Sequence, residues 1–140
     1  MIAINATQAR KEWSAVVDSV IRDKPRFIKR TRDYMLLTDV GVLDELLSVY
    51  TFHAEILKEN DGSVTISLDA IDLVENGADE CEAVHKLSLA ILEYSEDYYN
   101  DYAYWARGER KMHFPYVLKA LIINDAEKIG GLIECRHGKT

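Results

Sequence analysis

Apolar residues in this chain change their period near residue 50, and that change decides which folds are open to it. Before it, Ala6, Ala9, Trp13, Val16, Val17 and Val20 recur at helical spacing, the pattern of a helix with one buried stripe. After it, Phe52, Ala54 and Ile56 alternate with Thr51, His53 and Glu55, and Val64, Ile66 and Leu68 alternate again. Such alternation marks strands with one covered face. The expectation is an α+β protein in two parts, 1–50 and 51–140.

Local signals fill in the elements. Met1 to Ile4 suits a short strand, and Asn5 with Gln8 three residues on resembles a capping box opening the first helix. Pro25 ends that helix by withholding a donor. Arg26 to Arg30 and Tyr34 to Thr38 read as two strands about a turn at Thr31, Arg32 and Asp33. Thr38 or Asp39 then caps a shorter helix with Val42, Leu43, Leu46 and Leu47 as its apolar side. The first part is therefore β-α-β-β-α.

In the second part, Asn60-Asp61-Gly62 is hairpin chemistry between two strands. Ile71 to Val74 offers a third strand. Asp79 and Glu82 open a long helix to about Tyr104, with Ala83, Leu87, Ala90, Ile91, Tyr94 and Tyr98 inward. Arg107 to His113 reads as a basic loop, Pro115 as the first turn of a helix, and Asn124 to Gly131 as a turn or short helix. Leu132 to Cys135 reads as a closing strand and Arg136 to Thr140 as a loose tail. The C-terminal part is thus an α/β unit, a β-hairpin or three-stranded sheet with a long helix.

Charge divides unevenly along the chain. The first thirty-two residues carry eight Lys or Arg against three Asp or Glu, a formal +5, and the rest carries nine against twenty-one, −12, giving −7 overall. A basic pole on an acidic body points to one end that meets phosphate and another that meets something else. Apolar runs are too short to span a bilayer. Arg10, Lys11 and Glu12 interrupt any leader-like opening. A cytoplasmic protein with two reduced cysteines, Cys81 and Cys135, is expected.

Ile4-Asn5-Ala6-Thr7-Gln8-Ala9-Arg10-Lys11, with Pro25, Phe27-Ile28-Lys29-Arg30 and Tyr34-Met35-Leu36-Leu37-Thr38, resembles the Phd/YefM (prevent-host-death) antitoxin family. The hairpin turn departs from that pattern, because Thr31-Arg32-Asp33 contains no glycine. The resemblance implies a homodimer or higher homo-oligomer that binds operator DNA and represses its own operon. It assigns DNA contact to Arg10 and Arg30. A guanidinium can bridge phosphate oxygens or read guanine, and Lys11, Lys29 and Arg32 would add positioning charge.

The second part is distantly similar to the HicB-like antitoxin fold. The matching residues are Phe52-His53-Ala54-Glu55-Ile56, Asp61-Gly62, Val64-Thr65-Ile66-Ser67, Gly77 and Glu80-Cys81-Glu82-Ala83. The Pro-Asp-Leu-Pro-Gly-like segment of that fold is replaced by Leu68-Asp69-Ala70-Ile71-Asp72. A cognate toxin is the implied partner. Residues 93–105 alternate tyrosines and acids, a composition suited to a basic partner. Spacing of four sends Tyr94, Tyr98 and Tyr102 inward and leaves Tyr99, Tyr104 and Trp105 for the toxin.

No nucleophile elbow, phosphate loop or HExxH pattern occurs. Neither an enzyme nor a cofactor, metal site or membrane partner is expected. Two other readings use the first part for dimerisation: a non-enzymatic interaction or adaptor protein that uses it for nothing else, and a ligand-sensing transcriptional regulator whose second part holds a small molecule. Operator titration separates the adaptor, and stabilisation by a metabolite separates the sensor.

Overall fold

The computed structural model describes residues 2–138, which divide into one compact unit ending at Leu46 and another beginning at Leu47. Met1, Lys139 and Thr140, assigned above to the opening strand and the tail, lie outside the described residues. The architecture is α+β, with a three-stranded and a four-stranded sheet.

The first unit runs β1 (Ile4–Asn5), α1 (Ala6–Lys11), α2 (Trp13–Arg22), β2 (Arg26–Arg30), β3 (Asp33–Leu37) and α3 (Val40–Leu46). β1 pairs parallel to β2, and β3 pairs antiparallel on its other side. Asn5 Oδ1 accepts the Thr7 amide at 2.8 Å, so Asn5 caps the helix through its second residue. The expected single helix is two, because Glu12 takes φ −112° and ψ 33°. Glu12 N–H still donates to Gln8 O and Val16 N–H to Glu12 O, so the break is a bend.

Ala9, Val16 and Ile28 form the core of this unit, flanked by Ile4, Ala6 and Leu37. Two expectations fail here. Trp13, placed on the buried stripe, is 51% exposed, and α3 buries none of its residues. Leu47 is buried instead, at the start of a 3₁₀ turn, Leu47–Val49, that belongs to the second unit. The glycine-free hairpin turn closes with Thr31 at φ 55°, a left-handed conformation that a β-branched residue resists.

The second unit continues with β4 (Phe52–Lys58), β5 (Val64–Leu68), β6 (Val74–Gly77), α4 (Glu80–Asn100), α5 (Tyr102–Trp105), a 3₁₀ turn Gly108–His113, α6 (Phe114–Ile123), α7 (Ala126–Leu132) and β7 (Ile133–His137). The sheet order is β6-β5-β4-β7, with β7 parallel to β4 and the other pairs antiparallel. Gly62 at φ 89° closes the β4–β5 hairpin, whose Glu59 O accepts the Gly62 amide.

The third strand starts at Val74 rather than Ile71. Leu68 N–H donates to Leu73 O and Leu73 N–H to Ile71 O, so the chain turns there and drops Ile71 into the core, 2% exposed. The long helix ends at Asn100, where Asp101 leaves helical geometry. The segment expected as a basic loop is the 3₁₀ turn. Arg136 and His137 are not in a loose tail; they complete β7.

α4 lies over the sheet face that carries Phe52, Ala54, Ile56, Val64, Ile66 and Leu68, and Ala120 of α6 and Ile129 of α7 close the same core. Asp79 Oδ1 accepts the Glu82 amide at 2.8 Å, and Glu82 Oε2 returns to the Ala78 amide at 2.8 Å. Two buried serines fit where helices press together. Ser88 and Ser95 donate to Val84 O and Ile91 O, each at 2.7 Å, so their hydroxyls are satisfied without water. A Cβ on Gly130 would stand 2.9 Å from Ser88 Oγ. At Gly77 a Cβ would meet the Ala83 amide nitrogen at 2.4 Å; β6 approaches α4 that closely only without a side chain.

Two substitutions should therefore move stability in opposite directions. Gly77→Ala forces backbone apart and should cost about 2 kcal/mol or more in the second unit. Thr31→Gly relieves the left-handed turn and should gain about 1 kcal/mol in the first. Urea unfolding followed by a probe in each unit reads both.

Candidate functional site

Strand alternation sorts the basic residues of the first unit. Ile28 is buried under α1 and α2, so Arg26 and Arg30 share its helix-side face of β2, while Phe27 and Lys29 point to the opposite face. Arg10 and Lys11 end α1 and are exposed. Arg10 and Arg30 are thus on the helix side of the sheet. Lys29 lies across it, its Nζ 5.4 Å from the Tyr34 ring centroid, and Arg32 sits in the turn. Among the described residues, none of these cations is held in an ion pair; the ion pairs lie in the second unit.

Beside Arg10 opens a groove of about 620 Å³ lined by Ala6, Ala9, Trp13, Met35, Leu36 and Leu37. Its lining is apolar apart from the arginine. Trp13, Tyr34, Met35 and Leu36 are each about half exposed. An edge strand with this much apolar surface is unusual on a lone small unit.

In the second unit the C-terminal end of α4 gathers aromatic rings. Tyr98 is fully buried, stacks on Phe114 with centroids 5.9 Å apart, and donates to Arg110 O at 2.7 Å. Tyr94 meets His113 Nδ1 at 2.7 Å and the edge of Trp105. The Arg110 guanidinium lies 5.0 Å from both the Tyr104 and Trp105 rings, and it donates to Tyr104 O.

The three aromatic residues expected to meet a partner therefore separate. Tyr99 and Tyr104 are exposed, at 63% and 53%. Trp105 is half-buried between Tyr94 and Arg110, and it shapes the surface more than it projects from it. Tyr102, expected inward, packs edge-on to Phe114 yet is half exposed. Glu93, Glu96, Asp97 and Asp101 are exposed around them.

Burial pushes the Tyr94 and Tyr98 hydroxyls up. Burial likewise pulls His113 below its ordinary value of 6.5, against the opposing pull of Asp72. On the sheet's other face, Arg136 grips Asp69 with two bonds, at 2.6 and 3.0 Å, and reaches Glu55 at 3.4 Å. Those bonds hold the Asp69 carboxyl below its usual range. No group of three His, Cys, Asp or Glu side chains stands ready for a metal ion among the described residues, and no described helix is long and apolar enough to cross a membrane.

A family model described as PHD-like, "Antitoxin of toxin-antitoxin, RelE / RelB, TA system", matches residues 1–135. The chain belongs to this antitoxin family. The antitoxin is also similar, at 37% identity and a TM-score of 0.92, to a crystal structure from Syntrophomonas wolfei subsp. wolfei. The match covers 99% of this chain and 100% of that one, which is described as the antitoxin part of a candidate toxin/antitoxin system. No curated protein matches the sequence significantly. A toxin is thus the partner that membership in the family implies.

His113 should make the packing around the end of α4 sensitive to acid. Its folded-state value lies below that of the unfolded chain, so the unfolded chain binds more protons as pH falls past about 6.5. The stability it supports is complete above that value and drains away as pH falls through the folded one. The thermal midpoint of the second unit should drop between pH 7 and 5, and His113→Phe should flatten that slope. An unchanged slope in the variant would show that His113 is not the group responsible.

Proposed function

We propose that this antitoxin dimerises and binds operator DNA through the unit ending at Leu46, represses its own operon, and neutralises its toxin through the second unit. The first unit has the strand–helix–hairpin–helix order of the Phd/YefM resemblance, and the second has the strand, glycine turn, strand and helix of the HicB-like one. The observation that carries the reading is the combination of an apolar groove with unpaired arginines in one small unit.

A buried set of Ala9, Val16, Val20 and Ile28 is slight for a unit of this size, and small units bury too little of their own surface to stand alone. A second copy seated over Trp13, Met35 and Leu36 supplies the missing burial. Two-fold symmetry then presents Arg10 and Arg30 twice, as the half-sites of a palindrome require. Lys11 and Arg32 add phosphate contacts. Lys29, on the other face of β2 and over Tyr34, is the weakest member of the set.

For the toxin we favour the solvent face at the end of α4 and α5. Tyr99 and Tyr104 act as anchors, Trp105 backs them, and Glu93, Glu96, Asp97 and Asp101 attract a cationic surface. Acidic steering with aromatic anchoring gives fast association and slow release. The protein acts in the cytoplasm, where operator and toxin meet it.

Arg10→Ala with Arg30→Ala should abolish retardation of the antitoxin's own promoter DNA while leaving the circular dichroism spectrum unchanged. Every cation taken away from a phosphate should also lower the salt slope of binding by about 0.9. Normal retardation by the double variant would remove these arginines from the interface. Tyr99→Ala with Tyr104→Ala should weaken toxin capture by about 2 kcal/mol or more, with operator binding intact.

A further inference from the structure

α5 (Tyr102–Trp105) is a single turn, too short to hold itself together in water, yet it carries Tyr104 and Trp105. Each of its four carbonyls nevertheless has a donor. The Ala106 amide donates to Tyr102 O at 2.8 Å, and the Arg107 amide donates to Trp105 O at 2.9 Å. Arg107 Nε donates to Ala103 O at 2.8 Å, and the Arg110 guanidinium donates to Tyr104 O at 2.7 Å. Two arginine side chains thus satisfy carbonyls that a helix of one turn leaves without a partner.

Arg110 does more than cap. Gly108, at φ 55°, turns the chain back, and the Arg110 amide returns to Arg107 O at 3.1 Å. Its guanidinium then lies over both the Tyr104 and Trp105 rings, 5.0 Å from each centroid. Those rings meet edge to face, with centroids 5.2 Å apart and planes at 88°. One rigid, planar group therefore touches two rings and the backbone that carries them. Arg110 is half-buried and, among the described residues, belongs to no ion pair. Its charge is met by ring faces and a carbonyl instead of a carboxylate.

We propose that Arg110 is a positioning residue for toxin capture, one that fixes Tyr104 and Trp105 in the orientation the toxin meets without touching the toxin itself. This rests on the toxin surface proposed above. Aromatic side chains held in place before binding lose little rotamer freedom on binding, and the saving appears mainly as slower release. The contribution is specific to a guanidinium. A lysine ammonium is a compact point charge and cannot lie over two rings while donating in a fixed plane to Tyr104 O. Nor does Arg110 act through the core: the bond from the buried Tyr98 hydroxyl goes to its backbone carbonyl, which any side chain leaves in place.

Two measurements on the full chain test it. With Trp13→Phe as the background, Trp105 is the sole tryptophan. There Arg110→Met and Arg110→Lys should each raise acrylamide quenching of Trp105 by about twofold or more, while the thermal midpoint of the second unit holds. Both should release the toxin of its own operon about tenfold faster, with association no slower. In a Tyr104→Ala background, Arg110→Met should add little, because a residue that acts through another loses its effect with it. Unchanged release in Arg110→Met, or faster release with unchanged quenching, would overturn the proposal. Native behaviour of Arg110→Lys would do the same, as would losses that simply add in the double variant. Normal capture by Tyr99→Ala with Tyr104→Ala would remove the toxin surface and this role with it. Loss of capture there, with normal release in Arg110→Met, would remove the role of Arg110 alone.

Discussion

The unit ending at Leu46 carries more apolar surface than it can cover, and the function proposed for it rests on that shortage. Its helices bury Ala9, Val16, Val20 and Ile28 and little else, while Trp13, Met35, Leu36 and Val40, Val42 and Leu46 of α3 are exposed. Hydrophobic burial near 25 cal/mol per Å² is the main term opposing chain entropy. A unit short of it gains order from association. Its arginines and lysines repel one another in the absence of counter-charge, so phosphate offsets a second cost. In the function proposed above, folding, pairing and operator binding would be linked in this unit.

The second unit is built on the opposite principle. α4 closes a continuous core from Phe52 to Ile129, and small residues (Gly77, Ser88, Gly130) let strand and helices come close. The aromatic end of α4 is fixed by hydrogen bonds from Tyr98 and Tyr94 and by Arg110 between two rings. A rigid surface loses little entropy on binding. If the toxin docks there as proposed, that half is folded beforehand and presents its surface without first having to order itself.

Much of this was legible in the residues because periodicity reports burial. Phe52, Ala54 and Ile56, or Val64, Ile66 and Leu68, alternate because one sheet face is covered, and Asp79 with Glu82 marks a helix start from side-chain chemistry alone. What the pattern hid has physical causes. Glu12 bends its helix with no glycine or proline to announce it. Ile71 is apolar enough for a strand but serves a turn. Ser88 and Ser95 are polar yet go inside, because their hydroxyls bond the carbonyls four residues back. Trp13 continues the helical stripe in sequence, yet the bend leaves it at the rim of a groove. Arg136 gave no signal beyond its place near the chain end, because its partners Asp69 and Glu55 are remote in sequence.

The central claim is a division of labour, with operator on the first unit and toxin on the second. Hydrogen exchange of the full chain, measured alone, with operator and with toxin, tests it most directly. Operator should slow exchange across α1, α2 and the β2–β3 hairpin and leave α4 unchanged, while toxin should slow the end of α4 and α5. Toxin protection confined to the unit ending at Leu46 would contradict the account.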